Sequence, residues 1–415
     1  MRIAILGFGR EGESLLKFLK RAPAYKGATI EILDQKRDKN YLKNLTRFDL
    51  ICRSPGVYYN LPELVRARRA GVKFSSATQL FFDLAPCKII GITGTKGKGT
   101  TATLLYQILK AAQRDVHLVG NIGQPALASL GKLNKNSLVV YELSSFQLQD
   151  LKASPQVAAI LDLFPDHQDA HRSLREYYEA KGNIARYQKR GDQVFVLDDN
   201  ARARRLVRRG GGKVNLINLA KFKLFKPSDL KVVGEHHYRN AVVAASLAHS
   251  LGVPQATILA SVKRFRGLPH RLEMLDSPSI HGIKFYDDSG ATNPAAAAAA
   301  IRTFAGHPAI FLMGGASKKL DYAPLVRASR AASPHTIILF GQNGREVAAA
   351  LKQGKVPSQI ILTSTLTEAM KRAHKVVRES KFNWSIILSP AAASFDQFRD
   401  YIDRGNKFKQ LVREW

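Results

Sequence analysis

Short apolar runs alternate with longer stretches of helical period along almost the whole chain. Mostly apolar runs of four or five residues include Ile3–Leu6, Thr29–Leu33, Asp49–Cys52, Lys88–Ile92, Leu138–Glu142 and Val157–Leu161. Val194–Leu197, Ile283–Tyr286, Ala309–Met313, Thr336–Phe340 and Ser385–Leu388 continue the series. Such runs, rich in Ile, Val and Leu, are strands buried on both faces. Between them the apolar residues recur every three to four positions, as in Thr100–Ala112 and Arg239–Leu251, and predict helices. The alternation is that of βα units, which build parallel sheets covered by helices. Ala295–Ala300 follows Pro294 and is expected to open a tightly packed helix.

The 415 residues suffice for several domains. One break is expected near Ala85-Pro86, before a strand that feeds a glycine-rich loop. Another follows Gly267-Leu268-Pro269-His270, where a fresh series of βα units begins. The expected division is 1–86, 87–270 and 271–415, an α/β chain with Rossmann-like domains flanking a central phosphate-loop domain. No stretch reaches the roughly 18 apolar residues that a membrane span needs. Met1–Gly7 runs directly into a strand without a signal-peptide pattern. Cys52 and Cys87 lie in apolar contexts and suit a reducing compartment, so a cytoplasmic protein is expected.

The formal net charge is +31. That balance raises nucleic acid or an anionic membrane as a partner. The basic residues are spread along the chain, however. The densest cluster (Arg202, Arg204, Arg205, Arg208, Arg209, Lys213) lacks the interleaved aromatics of an RNA-binding module. A specific nucleic-acid partner is not expected, and anionic substrates account for the charge equally well.

Four constellations carry chemistry. Gly91–Thr101 follows an apolar strand and opens a helix, the setting in which backbone N–H groups and a helix N-terminus cradle phosphates. In it Gly94, Thr95, Lys96, Gly97, Lys98, Gly99 and Thr100 form the loop, with Lys98 placed to reach the β- and γ-phosphates. The match to the general phosphate loop is imperfect: Ile92 stands where a first glycine is usual, and Gly99 where a hydroxyl usually ligates Mg²⁺. Glu142 closes the strand before Leu143-Ser144-Ser145-Phe146-Gln147, at the sheet edge where ligands bind. Alone, a strand-end Glu is more often a solvated turn residue or a cap. Asp166-His167-Gln168-Asp169-Ala170-His171 spaces two histidines as zinc ligands on a helix would be, but Gln168 takes the place of the zinc-protease Glu, so Mg²⁺ and substrate are the better partners. Gly7-Phe8-Gly9-Arg10-Glu11-Gly12, with Asp34 closing the next strand, fits the dinucleotide fingerprint, and by itself suggests a nicotinamide enzyme. In the last third, Asp288–Pro294, Gly314–Lys318 and Ser389–Asp396 are small-residue loops after strands, and three at one sheet edge form a binding face.

Together these motifs resemble the Mur ligases, and within them the D-glutamate-adding branch, over essentially the whole length. Gly94-Thr95-Lys96-Gly97-Lys98 is similar to the loop that Mur ligases share with folylpolyglutamate synthases. Tyr141–Leu148, Arg53–Val57, Gly120–Gly123, Gly267–Glu273 and Ser389–Asp396 are specific to the branch. Folylpolyglutamate synthases lack the N-terminal Rossmann-like domain. The resemblance implies a monomeric ligase that uses ATP to join D-glutamate to UDP-N-acetylmuramoyl-L-alanine through an acyl phosphate. A different amino acid, such as L-glutamate, is the variant within that reading. It implies two Mg²⁺ ions, held by Thr100, Glu142, His167 and Lys181, the last as a carbamate. Asn240, Arg271 and Asp288 would serve ATP. Gly9, Arg10, Asp34, Gln35, Ser54, Asn121, Ser144 and Gln147 would serve the UDP substrate. Thr292, Lys318, Ser394 and Tyr401 would serve the amino acid, with Tyr401 where the family often has Phe. The chain departs from the family at Lys96 (usually Asn), Gly99 (Ser or Thr), His237 (Asn) and Gly290 (Lys), and at Arg10-Glu11 and Gln35-Lys36.

Overall fold

The computed structural model describes residues 1–166, 170–276, 282–317, 320–379 and 382–415. The chain divides into two compact units, one of Met1–Asp229 with Glu235–Lys263, the other of Leu230–Gly234 with Arg264–Trp415.

The first unit holds two sheets. β1 (Arg2–Leu6), β2 (Thr29–Leu33), β3 (Leu50–Arg53) and β4 (Lys73–Ser75) pair in parallel in the order β2-β1-β3-β4. The strand order reverses between β1 and β3, so the loops after these two strands flank the switch point where ligands of such sheets bind. β5 (Lys88–Thr93), β6 (Val116–Gly120), β7 (Leu138–Glu142), β8 (Val157–Ile160), β9 (Gln193–Leu197) and β10 (Lys213–Ile217) form a six-stranded parallel sheet in the order β10-β9-β8-β5-β7-β6. β5, β7 and β8 are its central strands, and their side chains are almost wholly buried, which is why they read as continuous apolar runs. One core joins both sheets of this unit, from Ile3, Ile5 and Cys52 through Phe81 to Tyr141 and Ile160. Both cysteines are free and buried, and burial pushes the Cys52 thiol up to about 12.

Polar struts tie the two sheets of this unit. Arg53, 2% exposed at the end of β3, donates to Asp150 (2.8 Å) and to the carbonyls of Phe146 (2.8 Å) and Val57 (2.6 Å). Gln147 donates to Glu11 at 2.6 Å, and Asn60 to Glu176 at 2.6 Å.

The second unit is built on β11 (Glu273–Leu275), β12 (Lys284–Asp287), β13 (Ala309–Gly314), β14 (Thr336–Phe340), β15 (Gln359–Leu362) and β16 (Ser385–Leu388), in the order β11-β12-β16-β13-β14-β15. Only β11 runs antiparallel, at the edge. The alanine run is the helix Pro294–Thr303. Asn293 caps it by accepting from Ala296 N–H, and Ala297, Ala298 and Ala300 are buried in the core. No helix among the described residues is long and apolar enough to cross a membrane.

Candidate active site

The glycine-rich loop leaves β5 and turns at Gly97 into the helix Lys98–Ala111. Gly97 has φ +82°, and a Cβ there would lie 2.3 Å from Asn240 Oδ1, so only glycine fits this turn. The loop is braced from β8's side. Thr95 N–H donates to Asp162 O at 2.9 Å, and the Thr95 hydroxyl bonds both the Phe164 backbone and the Tyr177 hydroxyl, the latter at 2.9 Å. Asp162 is itself held by a two-pronged ion pair with Arg239 (2.9 and 2.7 Å), which also clasps Asp199. Arg239 and Asn240 lie on one helix, Glu235–Ser250, so that helix fixes the loop from two directions.

Two lysines converge on the loop's first carbonyl. Lys98 Nζ donates to Gly94 O (3.2 Å) and Thr95 O (3.1 Å), and lies 3.9 Å from Glu142 Oε1. Lys181 Nζ, 2% exposed, donates to the same Gly94 O at 2.8 Å. Burial, reinforced by the neighbouring Lys98 cation, pulls Lys181 down to about 7, against the pull of the Glu142 and Asp166 carboxylates. Half of the lysine is thus a neutral amine near pH 7, the form that reacts with CO₂. Glu142, 3% exposed at the end of β7, has its carboxyl raised by burial, with Lys98 and hydrogen bonds from Asn121 opposing. Its Oε2 is buried without a hydrogen-bond partner. A buried carboxylate oxygen in that state is costly unless a cation completes it. The donor set of Glu142, the Thr100 hydroxyl and an anionic derivative of Lys181 is all oxygen, which fits Mg²⁺. His167 lies outside the described residues. His171 is a core residue, 2% exposed, bonded to Ser145 at 3.1 Å and stacked on Phe146.

At the switch point of the first sheet, Asp34 accepts from Phe8 N–H (2.6 Å) and Lys36 N–H (2.8 Å), and these bonds lower its pKa. Gly9 stands at the N-terminus of the helix Arg10–Arg21 with no side-chain cap. Ser54 donates to Gly7 O at 2.6 Å, and Arg10 donates to the Gly123 carbonyl. Gln35 and Asn121 are exposed. The fingerprint glycines have a packing account here: a Cβ at Gly12 would sit 2.6 Å from Gly7 O. Ser144 and Gln147, expected on the UDP substrate, hydrogen-bond to each other. They form a reciprocal capping box on the turn Ser145–Leu148, and Gln147 is 1% exposed.

In the second unit the three small-residue loops do share one edge, after the neighbouring strands β12, β16 and β13. Asp288 accepts from Ser389 Oγ (2.8 Å) and Leu272 N–H (3.2 Å), and burial pushes it up to about 7. Gly290 fits because a Cβ would lie 2.8 Å from His270 O. Thr292 is half-buried, Ser394 buried, and Arg271 and Tyr401 exposed; Lys318 lies outside the described residues. Arg404 knits the loops together. It is fully buried and donates to Ser289 Oγ (3.0 Å), Ser289 O (2.9 Å) and Ala392 O (3.0 Å). His270, Glu273 and Asp287 also cluster, with Lys409 Nζ as their cation, 2.6 Å from Glu273.

Residues 92–219 match the family model of the Mur ligase middle domain, and residues 270–389 that of the Mur ligase glutamate ligase domain. The chain is 31% identical to the UDP-N-acetylmuramoylalanine–D-glutamate ligase of Acetivibrio thermocellus, over 99% of this chain and 96% of that one. It is 30% identical to the enzyme of the same name from Clostridium tetani, with the same coverage. This chain belongs to the UDP-N-acetylmuramoylalanine–D-glutamate ligase family. Among solved structures it is similar to the UDP-N-acetylmuramate–alanine ligase MurC of Thermotoga maritima, with a TM-score of 0.58, 20% identity and coverage of 99% and 98% of the two chains. A MurF structure from Acinetobacter baumannii gives 0.58 at 19% identity, over 81% and 79%. These two likenesses speak to the Mur ligase fold.

The motif reading gave no role to Arg239, Asp162, Tyr177, Arg53 and Arg404. Arg404 carried a signal. The last helix buries positions 404, 405, 408 and 412, so an arginine occupies the apolar stripe. Lys181 does the same in the helix Leu174–Arg186, in line with Tyr177 and Ile184.

Proposed function

We propose that this protein joins D-glutamate to UDP-N-acetylmuramoyl-L-alanine, converting ATP to ADP and phosphate, in the cytoplasm and as a monomer. The observation that carries the reading is the convergence of Lys98, Lys181 and the orphaned Glu142 oxygen at the mouth of the Gly94–Thr100 loop. In this reading residues 1–86 hold the UDP end of the substrate through Gly9, Arg10, Asp34, Gln35 and Ser54. Residues 87–270 hold ATP and two Mg²⁺ ions, by Thr100, Glu142, His167 and carbamylated Lys181. Residues 271–415 present the amino acid through Thr292, Lys318, Ser394 and Tyr401, with Arg271 and Asp288 on the nucleotide. Bound Mg²⁺ supplies charge neutralisation at the phosphates.

The protein's own part is mostly placement. Lys98 aligns the terminal phosphate, and the substrate's alanyl carboxylate attacks the γ-phosphorus as the bond to ADP breaks. The glutamate amine then adds to the acyl phosphate carbonyl, loses its proton, and phosphate leaves. Phosphate release is measured with ATP, Mg²⁺ and UDP-N-acetylmuramoyl-L-alanine, with D-glutamate, with L-glutamate and with neither. Release with D-glutamate alone is expected, and Lys98→Ala abolishes it while leaving the circular dichroism unchanged. Turnover retained in Lys98→Ala overturns the assignment of the ATP site.

A further inference from the structure

The phosphate loop carries two lysines, and the reading above uses one. Lys98 points inward onto the Gly94 and Thr95 carbonyls. Lys96 stands at the loop's apex with its side chain 79% exposed, and its ammonium lies 3.7 Å from the Asp166 carboxylate on the facing segment. The backbone on either side is fixed, by Thr95 against Asp162, Phe164 and Tyr177 and by Gly97 against Asn240. The Lys96 side chain therefore swings from a rigid anchor at the rim of the phosphate site.

A second feature bears on the same site. Position 99, the second residue of the helix, is glycine and offers no side-chain oxygen to a cation. Thr101 cannot replace it, because its side chain is fully buried and its hydroxyl is enclosed in the core. On this helix turn a metal ion at the phosphates is thus left with the Thr100 hydroxyl alone and none at position 99, beside a loop that carries a second, exposed ammonium.

We propose that Lys96 is a second phosphate-binding cation, which exchanges the Asp166 carboxylate for the terminal phosphates of the nucleotide and supplies charge that a metal ion held at position 99 would otherwise bring. An exposed lysine–carboxylate pair is weak, and a polyphosphate bearing several charges outcompetes it. This rests on the ATP reading above and deepens it: the enzyme binds ATP with an unusually low demand for Mg²⁺.

The test is calorimetric titration of the full-length protein with ATP, in EDTA and across a Mg²⁺ series, for wild type, Lys96→Asn, Lys96→Arg and Lys96→Asn/Gly99→Ser. Lys96→Asn is expected to weaken metal-free ATP binding by about five- to tenfold and to raise the Mg²⁺ concentration for half-maximal binding by a similar factor. Lys96→Arg keeps wild-type values, and adding Gly99→Ser brings the Mg²⁺ requirement of Lys96→Asn back down. The melting temperature stays put, since the side chain is exposed. ATP affinity and Mg²⁺ requirement of Lys96→Asn within twofold of wild type overturn the proposal. Failure of Gly99→Ser to restore the Mg²⁺ requirement overturns the compensation. Absence of ATP binding in the wild type overturns the ATP reading itself, a result that does not depend on position 96.

Discussion

Lys181 is the residue whose environment makes the sharpest quantitative demand. An ordinary lysine loses its proton near 10.5, and this one near 7, chiefly because burial penalises the ammonium. The difference corresponds to roughly 5 kcal/mol by which the folded state disfavours the charged form. At pH 7 the neutral amine is then half of the population, on the order of a thousandfold more than for an exposed lysine. Two consequences follow with definite signs. Between about 7 and 10.5 the unfolded chain holds a proton at this site that the folded chain does not, so this residue makes stability rise with pH across that window. The penalty is complete below 7 and gone above 10.5. Urea unfolding in CO₂-free buffer, wild type against Lys181→Met, isolates the slope: the wild type gains on the variant by about 1.4 kcal/mol per pH unit once above pH 7. With CO₂ present, the amine nitrogen attacks carbon, one C–O π pair moves onto oxygen as a carboxylate, and nitrogen releases its proton to solvent. Carbon-13 NMR with labelled bicarbonate should show a carbamate resonance in the wild type and none in Lys181→Met, with occupancy falling by half near pH 7. A stability difference flat from pH 7 to 9, or labelling that requires pH near 10, refutes the reasoning, because both describe a lysine of ordinary basicity.

Further substitutions test other parts of the frame. Gly97→Ala forces a methyl into the left-handed region and onto Asn240, so ATP affinity should fall more than tenfold with a lower melting temperature. Gly131→Ala, where a Cβ meets nothing within 4 Å, should change stability by less than about 0.5 kcal/mol, and equal effects at both sites would sink the argument. Arg53→Met strands Asp150 and two carbonyls in a buried strut and should cost about 3–5 kcal/mol by urea unfolding. Replacing Asp150 with Leu as well should recover part of that loss, and a cost below about 1 kcal/mol for the single variant would show that the strut carries little.

The inner strands of the two large sheets were legible because both of their faces are buried, which leaves runs such as Lys88–Thr93 and Leu138–Glu142 nearly free of polar residues. The strands that went unread are of a different kind. β4 and β11 have three residues each, and β6, β10 and β15 are only partly buried edge strands, so their pattern is not that of a continuous apolar run. The phosphate loop was legible for the opposite reason, since a tight turn against Asn240 leaves no residue but glycine at position 97. Ser144 and Gln147 carry a structural role that the motif reading did not state: the strand-end Ser-x-x-Gln closes a capping box on the chain itself, and Gln147 also donates to Glu11. The converse error concerns Arg53, Lys181 and Arg404. Each is a cation at a position that the local apolar pattern assigns to the core, 2% exposed or less, and each has its hydrogen bonds completed by carbonyls or side chains distant in sequence. A periodicity scan counts such a residue as a defect in the stripe. Physically, a buried cation persists only where acceptors from other segments have been brought to it, so the defect marks the places where the chain is tied together or poised for chemistry. Which of the two it marks depends on how fully the cation is satisfied. Arg53 and Arg404 spend their donors on several acceptors and hold loops in place, whereas Lys181 donates to Gly94 O and has a depressed pKa, the state of an amine kept reactive.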